Sequence, residues 1–345
     1  MQVKQGPSKL VWVLIVFLSV SVSVNIFLAA KYQHRLKDQI SPDQGSSQTA
    51  SGEEYIWIAP MTEYSMFVNH DIKALRQFER DMGVKVSVEG PKRYDILGQA
   101  RAIESAIARK PAGIMVIGTE RQLVPAVNKA VAAGIPTITV DADLVESSRL
   151  AFVGSDWFNI GVKQAETMVR LIGGKGKVAV MGIGGADNME QGFDGFKSVI
   201  NNYPDIVLVG EYDDMSDVKE SQRLTDAILK EHSDIAGIAG FDSNSGPGIG
   251  NAIKQAGLAG KVMVTAVDIE PEHLTLVKEG VIQKLVGQKR EVFTYYGAKL
   301  LYDMNHATVS LTENDKRNSI TPVPYIIDTG LIEVDQNNVD SISSK

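Results

Sequence analysis

The sequence predicts an α/β protein of two doubly wound parallel-sheet lobes, preceded by one N-terminal transmembrane helix. The chain has 345 residues, 44% of them hydrophobic, enough for two cores rather than one oversized domain. Short apolar β-branched runs alternate with segments of helical spacing, as in parallel sheets covered on both faces. That alternation occurs about twice along the chain, a second set of βα units opening at Asp156.

Residues 1–9 form a short stub, and Leu10–Ala30 is a run of 21 residues without a charge. At 1.5 Å per residue such a run matches a hydrocarbon core about 30 Å thick. The alternative is a cleaved signal peptide, whose apolar core is usually about 7–15 residues. Leu28 also interrupts an A-x-A pattern before Ala30. Lys4 and Lys9 on one side nearly balance Lys31, Arg35 and Lys37 on the other, so charge alone does not orient the span. A stub of nine residues holds no enzyme or DNA-binding head. The expectation is therefore a single-pass cell-membrane protein with its large part extracytoplasmic, signalling inward only through a partner. Residues 31–54 read as a flexible linker, since Asp38–Glu54 is polar and rich in Ser and Gln.

From Tyr55 the strand-like runs are Tyr55–Ala59, Val84–Val88, Gly113–Ile117, Pro136–Val140, Leu150–Gly154, Lys177–Met181, Ile206–Gly210, Ile235–Gly240 and Lys261–Val267. Between them, Val68, Ile72, Leu75, Phe78 and Met82 recur at spacings of 4, 3, 3 and 4, an apolar helical stripe. Ile103 with Ile107, Val124 with Val127 and Val131, and Leu224 with Ile228 repeat the device. Gly83, Gly134 and Gly257 stand where helices should stop.

Composition excludes several functions. The net charge of −7 with interspersed signs leaves no basic footprint for nucleic acid. There is no cysteine, hence no disulfide, thiolate metal site, cysteine nucleophile or lipidated cysteine. The five histidines are scattered without H-x-x-x-H spacing, and no G-x-S-x-G elbow exists. Gly182, Gly184 and Gly185 lack the third glycine of a dinucleotide loop. Gly173–Lys177 lacks P-loop spacing. Asp242–Gly246 opens like a calcium loop, but its glycine is one place early and no glutamate closes it. No cofactor, metal or catalytic residue is expected.

What remains is a set of acceptor-rich loops behind strands. Asp141 and Asp143 follow one strand. Gly182–Gly192, Phe241–Gly246 and Asp268–His273 follow others. In open α/β sheets ligands bind beyond the carboxyl ends of the strands. An aspartate there also serves simply as a helix N-cap; four such loops on one rim suit a ligand with many hydroxyl donors.

IPTITVDADL, RLAFVGSD with FNIG, NMEQGFDGF, AGFDSNSGPGIGNAIKQAG and VMVTAVD occur in this order between Ile135 and Asp268. Together they resemble the type I periplasmic sugar-binding proteins, which include ribose-binding protein and are related to the effector domains of lactose-repressor-type regulators. The similarity covers about Tyr55–Ile332. It implies two lobes joined by three crossings that close on a sugar or polyol. The lobes would be 55–155 plus 289–325 and 156–288 plus 326–338, with 339–345 a tail. It places the family's ligand-stacking side chains on Met66 and Phe67, with Tyr64 beside them, and on Met215. Its polar ligand contacts fall on Asp141, Asp242, Asp268 and Gln288. Two arginines of ribose binders are replaced by Ala142 and Gly192, removing both guanidinium forks. Asp143, Asn188 and Gln191 are the candidates to fill that gap.

Taken with the apolar run as anchor, the resemblance implies a membrane-tethered sugar receptor that presents its closed form to a membrane partner; the missing lipid-anchor cysteine favours a sensor histidine kinase, the alternative being the permease of an ABC sugar importer. A transcription regulator of this fold would need a DNA-binding head where the apolar run stands. A glycosidase would need a second carboxylate across the sugar from Asp141 and Asp143, about 5 Å or about 6.5–9.5 Å away, and none is visible.

Overall fold

A computed structural model describes residues 52–306, 309, 312 and 322–343. The first lobe is built on β1 (Glu54–Ile58), β2 (Lys85–Glu89), β3 (Gly113–Val116), β4 (Thr137–Asp141), β5 (Phe152–Gly154) and β11 (Ile326–Asp328). The second is built on β6 (Gly176–Gly182), β7 (Ile206–Asp213), β8 (Ile235–Gly240), β9 (Met263–Val267), β10 (Lys284–Gln288) and β12 (Leu331–Val334). The sheet orders are β11-β5-β4-β3-β1-β2 and β12-β10-β9-β8-β6-β7. Every pairing is parallel except β10 with β12. The central strands β3 and β4 are buried along their whole length, which is why they read as continuous apolar runs instead of alternating ones.

The helices lie at α1 (Lys73–Met82), α2 (Ile96–Arg109), α3 (Val124–Ala132), α4 (Trp157–Ile172), α5 (Asp187–Ile200), α6 (Val218–Glu231), α7 (Ser245–Gln255), α8 (Pro271–Lys278), α9 (Arg290–His306) and α10 (Val339–Ser343). Gly83 caps α1 in the left-handed region, φ 67°, a conformation that costs glycine little. Asp95, Asp156 and Asp217 cap α2, α4 and α6 through their side chains.

The chain crosses between lobes at Ser155–Asp156, at Gln288–Arg290 and at Asp328–Leu331. The third crossing corrects the expected boundary: β11 pairs with β5 in the first sheet, so 326–328 belongs to the first lobe. The expected tail is also corrected. Val339 opens α10 and is buried in the second-lobe core with Val334, Val277 and Val281.

The membrane placement is corrected as well. Among the described residues no helix is long and apolar enough to cross a membrane. The longest of them, α9, has 17 residues and carries Arg290, Glu291, Lys299 and Asp303, whereas a span needs about 20 mostly apolar residues. The stub, the Leu10–Ala30 run and nearly all of the linker lie outside the described residues.

Helices α4 and α5 pack at backbone distance. A Cβ on Gly161 would stand 1.9 Å from the carbonyl oxygen of Gly192, and one on Gly195 would stand 2.0 Å from that of Phe158. Only glycine permits this approach.

Candidate functional site

Strands 2-1-3-4-5 of each lobe follow one another across the sheet, which puts a topological switch point beside β1 in the first and β6 in the second. A crevice opens there beyond the carboxyl ends. Loops from both rims line one cavity of about 440 Å³, its opening to solvent included, within the about 300–1,000 Å³ of small-molecule sites.

The first lobe contributes Tyr64, Met66, Phe67, Thr119 and Asp141, and the second contributes Trp157, Asn188, Asp242, Ser243 and Asp268, with Gln288 and Arg290 at a crossing. Phe67 stands edge-on to Trp57 and Tyr64 at 5.5 and 5.2 Å, which fixes its ring at the wall. Trp157 donates its indole N–H to the Asp141 carbonyl at 3.0 Å, tying the start of α4 to the opposite lobe.

The crossing at Gln288 carries a buried charge network. Arg290 donates from Nε and Nη2 to Asp71 at 2.8 and 3.2 Å, and from Nη2 to Asp141 at 3.0 Å. Gln288 donates to the other Asp141 oxygen at 3.1 Å and accepts from Arg290 Nη1 at 3.3 Å. Thr294 donates to Asp71 at 2.7 Å. Burial opposes charge on Arg290, but Asp141 and Asp71 hold the guanidinium protonated.

Among the described residues no cation hydrogen-bonds the second-lobe acids of this cavity. Asp242 accepts from Ser216 Oγ at 2.8 Å, from the Asn244 N–H at 2.9 Å and from the Tyr64 hydroxyl at 3.4 Å. Asp268 accepts from the Ser243 hydroxyl, which also lies 3.0 Å from Met66 Sδ. Burial raises the Asp242 carboxyl above its ordinary range and lifts Asp268 to about 6, Arg290 offsetting part of the latter. Behind them burial and the charge of Asp242 raise Asp214 to about 7.

Asp141 and Asp268 share an uncommon backbone. Their φ values are 68° and 73°, and they follow β4 and β9, the corresponding strands of the two sheets. Left-handed backbone at non-glycine residues is costly and clusters at functional sites.

Eight of the expected residues thus line the cavity: Tyr64, Met66, Phe67, Asp141, Asn188, Asp242, Asp268 and Gln288. Three do not. Asp143 forms a two-pronged ion pair with the buried Arg149 and accepts from Thr139 Oγ1 at 2.6 Å, so its oxygens are spent inside the first lobe. Gln191 is exposed and stands with Asp143 in a separate recess beside Arg121 and Asp187. Met215 is 64% exposed on a left-handed turn, φ 52°, outside the cavity; its neighbour Ser216 reaches Asp242 instead. Nor is the space of the absent arginine at Gly192 free, since a Cβ there would stand 2.7 Å from the Phe241 ring.

Sequence reasoning missed Arg290 and Asp71. The signal for Asp71 was a polar residue inside an apolar stripe. Phe67–Ile72 forms a π-helical turn, whose extra residue shifts the phase. Phe67 and Asp71 therefore face inward, while Val68 is 48% exposed.

Two sheets of this order, hinged at three crossings with polar groups converging on the gap, define a two-lobed ligand-binding protein. The chain belongs to the periplasmic binding protein domain family, whose model matches residues 56–307. It is similar to a solved sugar ABC transporter sugar-binding protein from Bacillus halodurans, with 29% identity and a TM-score of 0.75 over 84% of this chain and 99% of that one. It is also similar to AraP, an arabinose binding protein from Geobacillus stearothermophilus, with 28% identity and a TM-score of 0.69 over 84% and 98%. A curated relative, the D-apiose import binding protein of Actinobacillus succinogenes, is 25% identical over 169 residues, 48% of this chain and 54% of that protein. The chain spans about half the length of the first curated relatives it matches.

Proposed function

We propose that the protein is a sugar-binding receptor whose lobes close on a carbohydrate or polyol and whose closed form is presented to a membrane partner. The observation that supports this most is the convergence of Asp141, Asp242, Asp268, Asn188 and Gln288 from both lobes on one aromatic-walled cavity. Carboxylates accept from hydroxyls, while Phe67 and Trp157 offer faces on which the C–H surface of a sugar packs. Ligand drives closure because it contacts both rims only when they meet. No catalytic role is assigned to these acids.

The partner proposed first is the permease of an ABC sugar importer, because the relative from Bacillus halodurans is described as a sugar ABC transporter sugar-binding protein. The sensor histidine kinase expected from the sequence is the other outcome of the same test. Calorimetric titration with pentoses, hexoses and polyols tests binding, with saturable heat expected for at least one. Deleting candidate permease and kinase genes separately then assigns the partner: loss of uptake supports the importer, and loss of induction alone overturns it in favour of the kinase.

A further inference from the structure

The charge of the cavity is out of balance. Asp141, Asp242 and Asp268 line it, Asp71 stands behind Asp141, and all four are buried. Arg290 is the one cationic side chain among the lining residues, and its guanidinium is engaged by Asp71 and Asp141. Asp242 and Asp268 are left with neutral hydroxyl and amide donors.

An uncompensated buried carboxylate either takes up a proton or finds a cation. Burial already moves both acids toward the protonated form, Asp268 to about 6. A second observation is independent of the acids. Asn188 lines the same cavity, is 5% exposed, and its Oδ1 has no hydrogen-bond partner among the described residues. Another buried acceptor without a donor therefore belongs to the cavity lining, beside aromatic walls that also favour a cation.

We infer that the ligand is a carbohydrate bearing a protonated amine, an aminodeoxy sugar or amino polyol, whose ammonium seats against Asp242 and Asp268. An ammonium supplies three donors and no acceptor, and it brings from the ligand side a positive charge to two carboxylates that have only neutral donors. This assignment rests on the carbohydrate reading above and narrows it.

The test is calorimetry on the full-length chain at pH 7.5 with glucosamine, galactosamine, mannosamine and 1-amino-1-deoxysorbitol. Each is paired with its neutral parent, and ribose, xylose and arabinose are added. At least one amine is expected to bind about tenfold or more tighter than its parent, the scale of a hydrogen bond to a charged group. Asp268→Asn and, separately, Asp242→Asn should each reduce the amine-to-parent affinity ratio by about tenfold. Circular dichroism confirms that each variant is folded, and either one suffices. Neutral sugars binding as tightly as their amines, or an unchanged ratio in both folded variants, would overturn the inference and leave the sugar-binding reading standing. No binding across the panel would overturn both.

Discussion

At the residue scale the account turns on how the buried charges are held. Arg290 bridges Asp71 and Asp141 with almost no exposure. Removing one partner of such a cluster leaves carboxylates buried without a counter-charge, at a cost of about 3–5 kcal/mol. Arg290→Met is therefore expected to lower unfolding stability by that amount, as measured by urea denaturation, and an unchanged midpoint would contradict the network. Asp268 behaves oppositely. Its carboxyl is raised to about 6, burial being the largest cause, so the folded protein binds a proton more readily than the unfolded chain. The charged form is thus a destabilising burden above pH 6 that fades as pH falls toward 4. Asp268→Asn should be more stable than the parent by about 2–3 kcal/mol at pH 8, with the gap shrinking as pH falls below 6. A constant gap would show that Asp268 is not strained by its burial. Asp141, Asp242 and Asp268 were legible in the sequence because each follows an apolar strand. Arg290 and Asp71 were not, since one begins a helix without a motif and the other was hidden by the π-helical change of phase. The sequence also gave no sign that Arg149 takes up Asp143.

At the scale of elements, apolar runs mark β1 to β9. β10 had passed unread, because Lys284, Gly287 and Gln288 dilute its pattern. β11 and β12 are short and largely unburied and carry Asp328 and Glu333, so neither shows an apolar run, and leaving them unread misplaced the third crossing. One clasp joins elements of opposite lobes. His70, on the π-helical turn, contacts Glu270 beyond β9 and Glu291 of α9, the latter at 2.6 Å, while Asn69 donates to Glu270 at 3.0 Å. Glu270 and Glu291 raise His70 to about 10. The histidine pKa is therefore higher with the clasp made than without it, and the clasp is complete below pH 6.5 and lost as pH rises toward 10. Sugar affinity should decline from pH 7 to pH 10, and His70→Gln should flatten that decline in calorimetric titrations; an identical profile in the variant would remove the clasp from closure. Trp157 reports the same motion, because its indole bonds the Asp141 carbonyl across the crossing. Its fluorescence is expected to change on saturation with sugar in a Trp12→Phe, Trp57→Phe background, and a flat signal would mean that this contact does not respond to ligand.

At the scale of the whole molecule, two lobes of the same strand order each supply an aspartate in the left-handed region at the rim of a common cavity. The two-lobed fold followed from the alternation of apolar runs and its recurrence after Asp156. The pairing of the lobes followed from resemblance alone, since no local pattern encodes which loops of distant βα units will meet. The membrane placement rested on a segment outside the described residues, and the described helices do not support it.

The central claim is that acids from both lobes grip one carbohydrate. The direct measurement is calorimetric titration of the sugar that the parent protein binds into Asp141→Ala, from the first lobe, and Asp242→Ala, from the second. Each variant is predicted to remain folded and to lose about 1–3 kcal/mol of binding free energy, the cost of deleting a buried polar partner. Parent-like affinity in both variants would contradict the account.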